Sequence, residues 1–424
     1  MQVIENLKIK EKLYIEKLKN GLTVMVIPKQ NIQKKYIIWG TNFGSIDNNF
    51  IIPNENRQIQ VPDGVAHFLE HKLFEQENGS NSLDVLTGLG VDANAYTTND
   101  HTAYLFETID NFYEALDEFM DYVQKPYFTA ENVEKEKGII EQEIMMNDDQ
   151  PAWKVYLNAL ECMYINHPVK LEIAGSVDSI KNIDKTVLYN CYDVFYNPSN
   201  MALVICGDFK PEEIIKEVEN RLIEKAQQGE IKRIYPEEPD TINKNRIETK
   251  MEVSTPIFVI GIKDKVNKEE MVKKHVAIEI ILNMLLGTSS KLYKKLYEKG
   301  ILIYKPELDY DFSKNYAYIT ISGQSKDPDL LLEELKKEIK RMKEQGIDEE
   351  YFNITKKKIY GSYLSEYNYV GNIARMFLAD YFKGINSFDY LESYNTVQKK
   401  YVTQILEEVF LEEKMVLSIV YANK

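Results

Sequence analysis

Five histidines occur among the 424 residues, and two of them stand four apart in Val65-Ala66-His67-Phe68-Leu69-Glu70-His71. On a helix that spacing puts both imidazoles on one face, one turn apart, where they can share a tetrahedral ion. Glu70, three residues beyond His67, lies at the edge of the same face. Its carboxylate can act as a base on water beside the ion without being a ligand. The neighbours Val65, Leu69 and Leu73 are apolar, and imidazoles in such surroundings are costly to bury unless something ligates them. An ordinary polar helix face is the competing description, and the scarcity of histidine in this chain argues for the metal.

Two imidazoles do not complete a catalytic zinc site, which takes three protein ligands and keeps one position open. The best source of a third lies in Val133–Ile144, where Glu136 and Glu143 stand seven apart, two turns along one face beside Ile139 and Ile140. Two carboxylates on a partly apolar face call for a counter-charge, which an ion supplies. On pattern alone, a solvated acidic helix carrying Glu134, Glu136, Glu141 and Glu143 is the alternative. No P-loop, dinucleotide fingerprint or G-x-S-x-G elbow is present, and Lys356-Lys357-Lys358 reads as a solvated helix face.

The elements that must position these residues are legible as alternating strand and helix patterns. Leu22–Ile27, Tyr36–Asn42, Asp92–Thr98, Thr102–Thr108 and Ala202–Cys206 read as strands. A helix follows Pro62-Asp63-Gly64, with Asp63 as its expected N-cap, and Phe112–Val123 and Ala130–Met146 read as helices. After a polar, proline-bearing linker at 229–246 the order recurs, with strands Pro256–Ile262 and Tyr316–Ser322 and helices Glu270–Leu286 and Asp329–Gln345. The expectation is an α+β chain of two related domains, 1–228 carrying the candidate metal site and 247–424 following the linker.

Composition narrows the partners. Lys and Arg number 52 against 67 Asp and Glu, a formal charge of -15. Such a surface repels phosphate backbones and anionic lipid, so neither nucleic acid nor membrane is an expected partner. The three cysteines form no CxxC pair, which argues against a disulfide framework or a cysteine-rich zinc site. The first twenty residues lack the apolar core of a secretory signal, and Val276–Gly287 is too short to span a bilayer. A soluble, cytoplasmic protein is expected.

Residues 61–146 resemble the pitrilysin/insulinase family of zinc peptidases, whose H-x-x-E-H is H-E-x-x-H read backwards. The likeness extends to Asn42–Asp47, Asn94–Thr97 and Asn197–Met201, and VPDGVAHFLEHKLFE is similar to a two-domain bacterial branch. It implies two homologous domains, each a mainly antiparallel sheet flanked by helices, forming half of a clam-shell chamber for unfolded peptides. It implies one Zn2+ per chain and Glu70 as general base. The family's third ligand ends a segment E-x-x-x-x-x-x-E. EKGIIEQE fits that form with Glu143 standing 72 residues after His71, so the resemblance implies His67, His71 and Glu143 as ligands and Glu136 as the supporting carboxylate. Asn94, Ala95 and Tyr96 correspond to an edge strand that accepts substrate as an added strand, with Asn94 orienting a carbonyl. The family does not use a residue at His101, for which a structural or substrate-adjacent role is expected.

The second half departs from the family pattern. Where complete enzymes carry an arginine and, seven residues on, a tyrosine facing the substrate, this chain has Tyr297 and Tyr304. The resemblance therefore implies the zinc-bearing subunit of a pair whose partner supplies the arginine and tyrosine, or a homodimer that works without the arginine. Two alternatives stand beside a general endopeptidase: a non-catalytic assembly subunit, and a peptidase dedicated to maturing one modified bacterial peptide.

Overall fold

The β-branched and aromatic runs fold as strands and the 3.6-residue apolar patterns as helices in the computed structural model, which describes residues 1–53, 55 and 57–423. In the first part of the chain lie β1 (Gln2–Asn6), β2 (Glu11–Lys17), β3 (Thr23–Pro28), β4 (Lys35–Thr41), β5 (Asn49–Ile51), β6 (Gln58–Gln60), β7 (Asp92–Thr97), β8 (Thr102–Thr108), β9 (Met201–Gly207) and β10 (Lys232–Arg233). Between them run α1 (Val65–Lys72), α2 (Ser82–Gly88), α3 (Phe112–Gln124), α4 (Ala130–Asp148), α5 (Pro151–Met163), α6 (Val177–Ile180), α7 (Lys185–Phe195) and α8 (Pro211–Arg221). The later strands are β11 (Arg246–Met251), β12 (Ile257–Asp264), β13 (Glu307–Phe312), β14 (Ala317–Gln324) and β15 (Met415–Ala422). The later helices are α9 (Met271–Leu286), α10 (Lys291–Glu298), α11 (Pro328–Gln345), α12 (Glu349–Glu366), α13 (Val370–Lys383), α14 (Phe388–Thr396) and α15 (Lys399–Val409).

One large sheet has the order β1-β2-β3-β9-β4-β8-β7, the other β11-β15-β12-β14-β13, and a small sheet joins β10-β5-β6. From β3 onward the first large sheet places its strands in the same sequence as the second. The first strand lies beside the last, then come the second, fourth and third. The first–last pair is parallel in both, β3 with β9 and β11 with β15, and the other pairs are antiparallel. Two α+β folds of one topology are therefore present, with β7 and β13 as the corresponding edges.

Two compact units emerge, and neither is a continuous half of the chain. The first comprises Met1–Ile144, Glu172–Tyr235 and Ser365–Ser387; the second comprises Met145–Leu171, Pro236–Leu364 and Phe388–Lys424. Each half thus contributes one helix to the other's sheet: α5 packs on β15 and β12, and α13 on β9 and β4. The exchange is symmetric, since these are the last and second strands of each five. A Cβ on Gly40 of β4 would come within 2.8 Å of Phe382, and one on Gly261 of β12 within 2.8 Å of Val416 and 2.9 Å of the Met163 sulfur. Both glycines clear room in the packing of these strands. α13 buries Ile373, Ala374, Phe377, Leu378 and Phe382, at about 1.5–3 kcal/mol for each large side chain removed from water. It is pinned by Arg375 Nε donating to Tyr36 Oη at 2.7 Å. Tyr156 of α5 shares a hydroxyl hydrogen bond of 2.6 Å with Tyr318 of β14.

The first unit's core lies on the other face of its sheet, where Ile37, Trp39, Tyr104 and Phe106 meet Phe68 and Leu69 of α1 and Phe119 of α3. In the second unit, the apolar stretch of α9 leads on through Gly287 into α10, which ends at Glu298. Met271–Glu298 is long and apolar enough by composition to cross a membrane, but 67% of its most apolar window is buried in the protein, as in a core helix. Of the three lysines on α12, Lys356 is not simply solvated: its Nζ donates to the Val397 carbonyl at 3.0 Å.

Candidate metal centre

α1 begins at a position that only glycine fills well. Gly64 is the N-cap at φ 91°, in the left-handed region, and a Cβ there would lie 2.3 Å from the Ala174 carbonyl oxygen. The expected cap, Asp63, does not cap: its Oδ1 accepts from Asn48 Nδ2 at 2.8 Å, and no side chain caps this helix. The eight residues of α1 are held instead by burial. Phe68 and Leu69 are fully enclosed, while His67 and Glu70 on the opposite side retain 9% and 8% exposure.

That side faces α4. His67 Nε2 lies 3.5 Å from Glu143 Oε1, and His71 Nε2 lies 3.5 Å from Glu143 Oε2. One ligand atom from each of His67, His71 and Glu143 falls within 4.8 Å of the others. A tetrahedral zinc with bonds of roughly 2.0–2.1 Å separates neighbouring donors by roughly 3.3 Å, so the spacing suits that ion. The chemistry of the set suits it as well, two imidazoles and a carboxylate. His71 Nδ1 is 3.1 Å from Glu136 Oε1. An ionised carboxylate only accepts, so Nδ1 carries the hydrogen and the Nε2 lone pair points towards Glu143. The corresponding Nδ1 of His67 is buried and has no partner among the described residues.

The electrostatics favour positive charge at this point. Burial works against the charged form of His71, but the Glu136 hydrogen bond and the Glu70, Glu136 and Glu143 carboxylates outweigh it and raise its pKa. Glu143 is held below the usual carboxylate range, chiefly by its hydrogen bond to His67. Glu136 is also lowered: burial opposes its charge, and His71, Lys72 and Lys135 overcome the opposition. Lys72 is fully enclosed, pairs with Glu75, and stands 3.7 Å from Glu136 Oε2. Glu70 is no part of the three-donor cluster. Its Oε2 accepts from Thr97 Oγ1 at 2.6 Å.

β7 is the edge strand beside α1, and its alternation sorts the residues singled out in the sequence. Pairing through β8 to β4 aligns Ala95 with Tyr104 and Trp39, and Thr97 with Thr102 and Thr41, so Ala93, Ala95 and Thr97 look towards the core and α1. Asn94 and Tyr96 occupy the other face. Asn94 is exposed and its Oδ1 accepts from the Ala95 N–H at 2.8 Å. Tyr96 stands 3.4 Å from His101 Nε2, and burial pushes its hydroxyl well up. What β7 offers on the metal side is therefore backbone and Thr97, not the Asn94 or Tyr96 side chains. His101 lies outside the donor cluster. It is 5% exposed, bonds Asp100 Oδ1 at 2.6 Å and lies against Phe382 of α13. Tyr304 belongs to the second unit, between α10 and β13, and is 47% exposed; Tyr297 on α10 is likewise exposed and stacks on Tyr293.

The sequence reading missed Thr97 and Lys72. The signal for Thr97 was the period-2 pattern of Ala93, Ala95 and Thr97, which puts a hydroxyl on the helix-facing side. Lys72, one residue past the candidate ligand His71 and among Leu69, Leu73 and Phe74, is a lysine where the helix must be buried.

Residues 54–177 match the family model described as insulinase, peptidase family M16, and residues 182–359 match the one described as the peptidase M16 inactive domain. Proteins named as uncharacterized zinc proteases match along most of the chain. One, YmfH of Bacillus subtilis, is 38% identical over 97% of each chain. One from Rickettsia bellii is 30% identical over 80% of this chain and 81% of its own. A solved structure from Alicyclobacillus acidocaldarius, described as M16-like, superposes with a TM-score of 0.93 at 33% identity, covering 99% of this chain and 100% of that one. A Helicobacter pylori protease shares the fold, with a TM-score of 0.81 at 18% identity over 97% of this chain and all of its own. By its matched domains, its relatives and its fold, the chain belongs to the insulinase family, peptidase family M16.

Proposed function

We propose that the chain is a zinc-dependent endopeptidase acting on unfolded peptides, with His67, His71 and Glu143 as ligands, Glu136 supporting His71, and Glu70 as general base. The observation that carries this reading is the convergence of both Nε2 atoms on the two oxygens of Glu143, each at 3.5 Å. A zinc ion held by His67, His71 and Glu143 would supply Lewis acidity, lowering the pKa of water to roughly 7 and polarising a peptide carbonyl. Glu70 has one oxygen committed to Thr97 and the other left to take a proton from the attacking water and give it to the leaving amine. The edge of β7 supports main-chain pairing with an extended substrate, which gives affinity without demanding a sequence.

The test is cleavage of a mixed pool of short peptides by purified, zinc-loaded chain beside Glu70→Gln. The variant is expected to keep stoichiometric zinc and lose turnover; a Gln variant of normal activity would end the assignment.

A narrower reading makes the chain the catalytic subunit of a dimer. Tyr297, where the family has its arginine, supports it, since that guanidinium would otherwise steady the oxyanion. On this reading the zinc-loaded chain alone is inactive on the pool, and a family member that lacks H-x-x-E-H and carries the arginine restores cleavage. Activity of the chain alone sinks it. Cleavage of one small precursor peptide and nothing in the pool instead supports a dedicated maturation enzyme.

A further inference from the structure

We infer that Thr97 is the residue that positions Glu70, and that β7 thereby couples substrate pairing to alignment of the base. The inference rests on the reading of Glu70 as general base. Its first support is a bookkeeping of hydroxyl hydrogens. Thr97 Oγ1 is 2.6 Å from Glu70 Oε2, Thr102 Oγ1 is 2.9 Å from the Phe43 carbonyl oxygen, and the two hydroxyls are 3.3 Å apart. Each hydroxyl has one hydrogen, and neither a carboxylate nor a carbonyl can donate. The Thr102 hydrogen is committed to Phe43 and the Thr97 hydrogen to Glu70, so the contact between the threonines needs no proton. The hydrogen bond to Glu70 is thus charge-assisted and of fixed direction.

The second support is where the bond sits. Thr97 ends β7, whose pairing partner Thr102 is fully buried and whose row continues to Thr41. β-branched residues keep few χ1 rotamers, so the donor is rigidly placed by the sheet. Glu70 lies on an eight-residue helix with no side-chain cap. The sheet, not the helix end, supplies the fixed reference for the carboxylate. Holding Oε2 leaves Oε1 as the oxygen presented to water. Because the same strand offers its outer edge to an added peptide, a substrate that displaces β7 also displaces the base. Thr97 touches neither substrate nor metal on this account, so it is a positioning residue.

The experiment compares Thr97→Val, Thr97→Ser and Glu70→Gln in the zinc-loaded full chain. The readouts are kcat and KM on fluorescein-labelled casein, bound zinc by atomic absorption, and crystal structures of wild type and Thr97→Val. Thr97→Val keeps the branched shape and removes only the donor. It is expected to lose about 10- to 100-fold in kcat, the cost of misplacing a reacting group by about an ångström. KM and zinc content are expected to hold within about twofold, and Thr97→Ser to recover most of the rate. In the crystals the Glu70 carboxylate is expected to leave its wild-type rotamer in Thr97→Val. A Thr97→Val enzyme of full kcat, beside a dead Glu70→Gln, overturns this inference and leaves the general base standing. A rise in KM alone overturns it too, since that marks a substrate contact. An active Glu70→Gln overturns the underlying reading and this one with it. If the wild type does not cleave casein, the crystal comparison decides, and an unmoved Glu70 in Thr97→Val overturns the inference.

Discussion

Replacing Glu136 by Gln preserves the shape of the side chain and deletes its charge, and the consequence can be worked from two distances. Glu136 Oε1 accepts from His71 Nδ1 at 3.1 Å, and Oε2 stands 3.7 Å from the enclosed Lys72 ammonium. A hydrogen bond to a charged partner contributes about 1.5–3 kcal/mol and a neutral one about 0.5–1.5. The isostere therefore gives up about 1–1.5 kcal/mol of the energy that fixes the His71 ring. Since 1.4 kcal/mol is a factor of ten, zinc affinity is expected to fall about tenfold. Glu136→Ala removes the acceptor altogether and leaves Lys72 with Glu75 alone, which places its loss near the upper end of the 10–100-fold range usual for such outer carboxylates, about 100-fold. The assay is zinc competition against a chromophoric chelator, which needs no peptide substrate. Equal affinities in wild type and both variants, with unchanged circular dichroism, would refute the argument. So would complete loss of binding in the Gln variant, because that is how a missing ligand behaves.

Chelating the metal from a chain held at 100 times its zinc Kd is expected to remove about 2.7 kcal/mol of stability, hence roughly 5–10 °C of Tm for domains of this size; Glu143→Ala should show the lower Tm with or without added zinc. Gly64→Ala combines a left-handed backbone that costs about 1–2 kcal/mol with a 2.3 Å clash against Ala174. Urea denaturation is expected to register about 2–5 kcal/mol, and a variant as stable as wild type would show that α1 does not need this start. In the second unit, burial pushes the Glu279 carboxyl up to about 7, against the Tyr394 hydroxyl that bonds it. A raised carboxyl stabilises the fold fully below its unfolded pKa near 4.5 and loses that contribution as pH rises through 7, a swing of about 3 kcal/mol. Glu279→Gln should therefore gain stability over wild type at pH 8 and not at pH 5, and an equal difference at both would refute the linkage.

The catalytic candidates were legible because their chemistry is local. His67, Glu70 and His71 declare a helix face by spacing, and Glu136 and Glu143 another. The strands and helices named from the sequence were legible by period, with boundaries that moved by one or two residues, whereas β1, β2, β11, β13, β15, α5 and α13 were not read from it. The Asp63 cap was misjudged because a carboxylate before a helix is equally free to bond sideways, here to Asn48. Asn94, Ala95 and Tyr96 are assigned to substrate by the resemblance, and the sequence does not say which face each side chain takes, because strand identity is visible in sequence while the facing of a strand depends on its partners. The exchange of α5 and α13 was invisible for a related reason. An amphipathic pattern states that a face is buried and says nothing of which sheet buries it. Even the linker at 229–246 marks only one of the places where the chain passes between units.

That exchange sets a timetable for synthesis. The sheet beside the candidate metal centre has all its strands by Gly207, yet the helix that covers β4 and β9 ends at Lys383. At about 5–20 residues per second, the first unit emerges and then waits roughly 10–40 s with one apolar face bare. During that interval α5, already made, has no sheet of its own to lie on. A nascent chain in this state exposes aliphatic surface on both pieces, and it is the stage at which a chaperone would hold it. The proposed zinc ligands His67, His71 and Glu143 are all synthesised well before the scaffold behind them is closed.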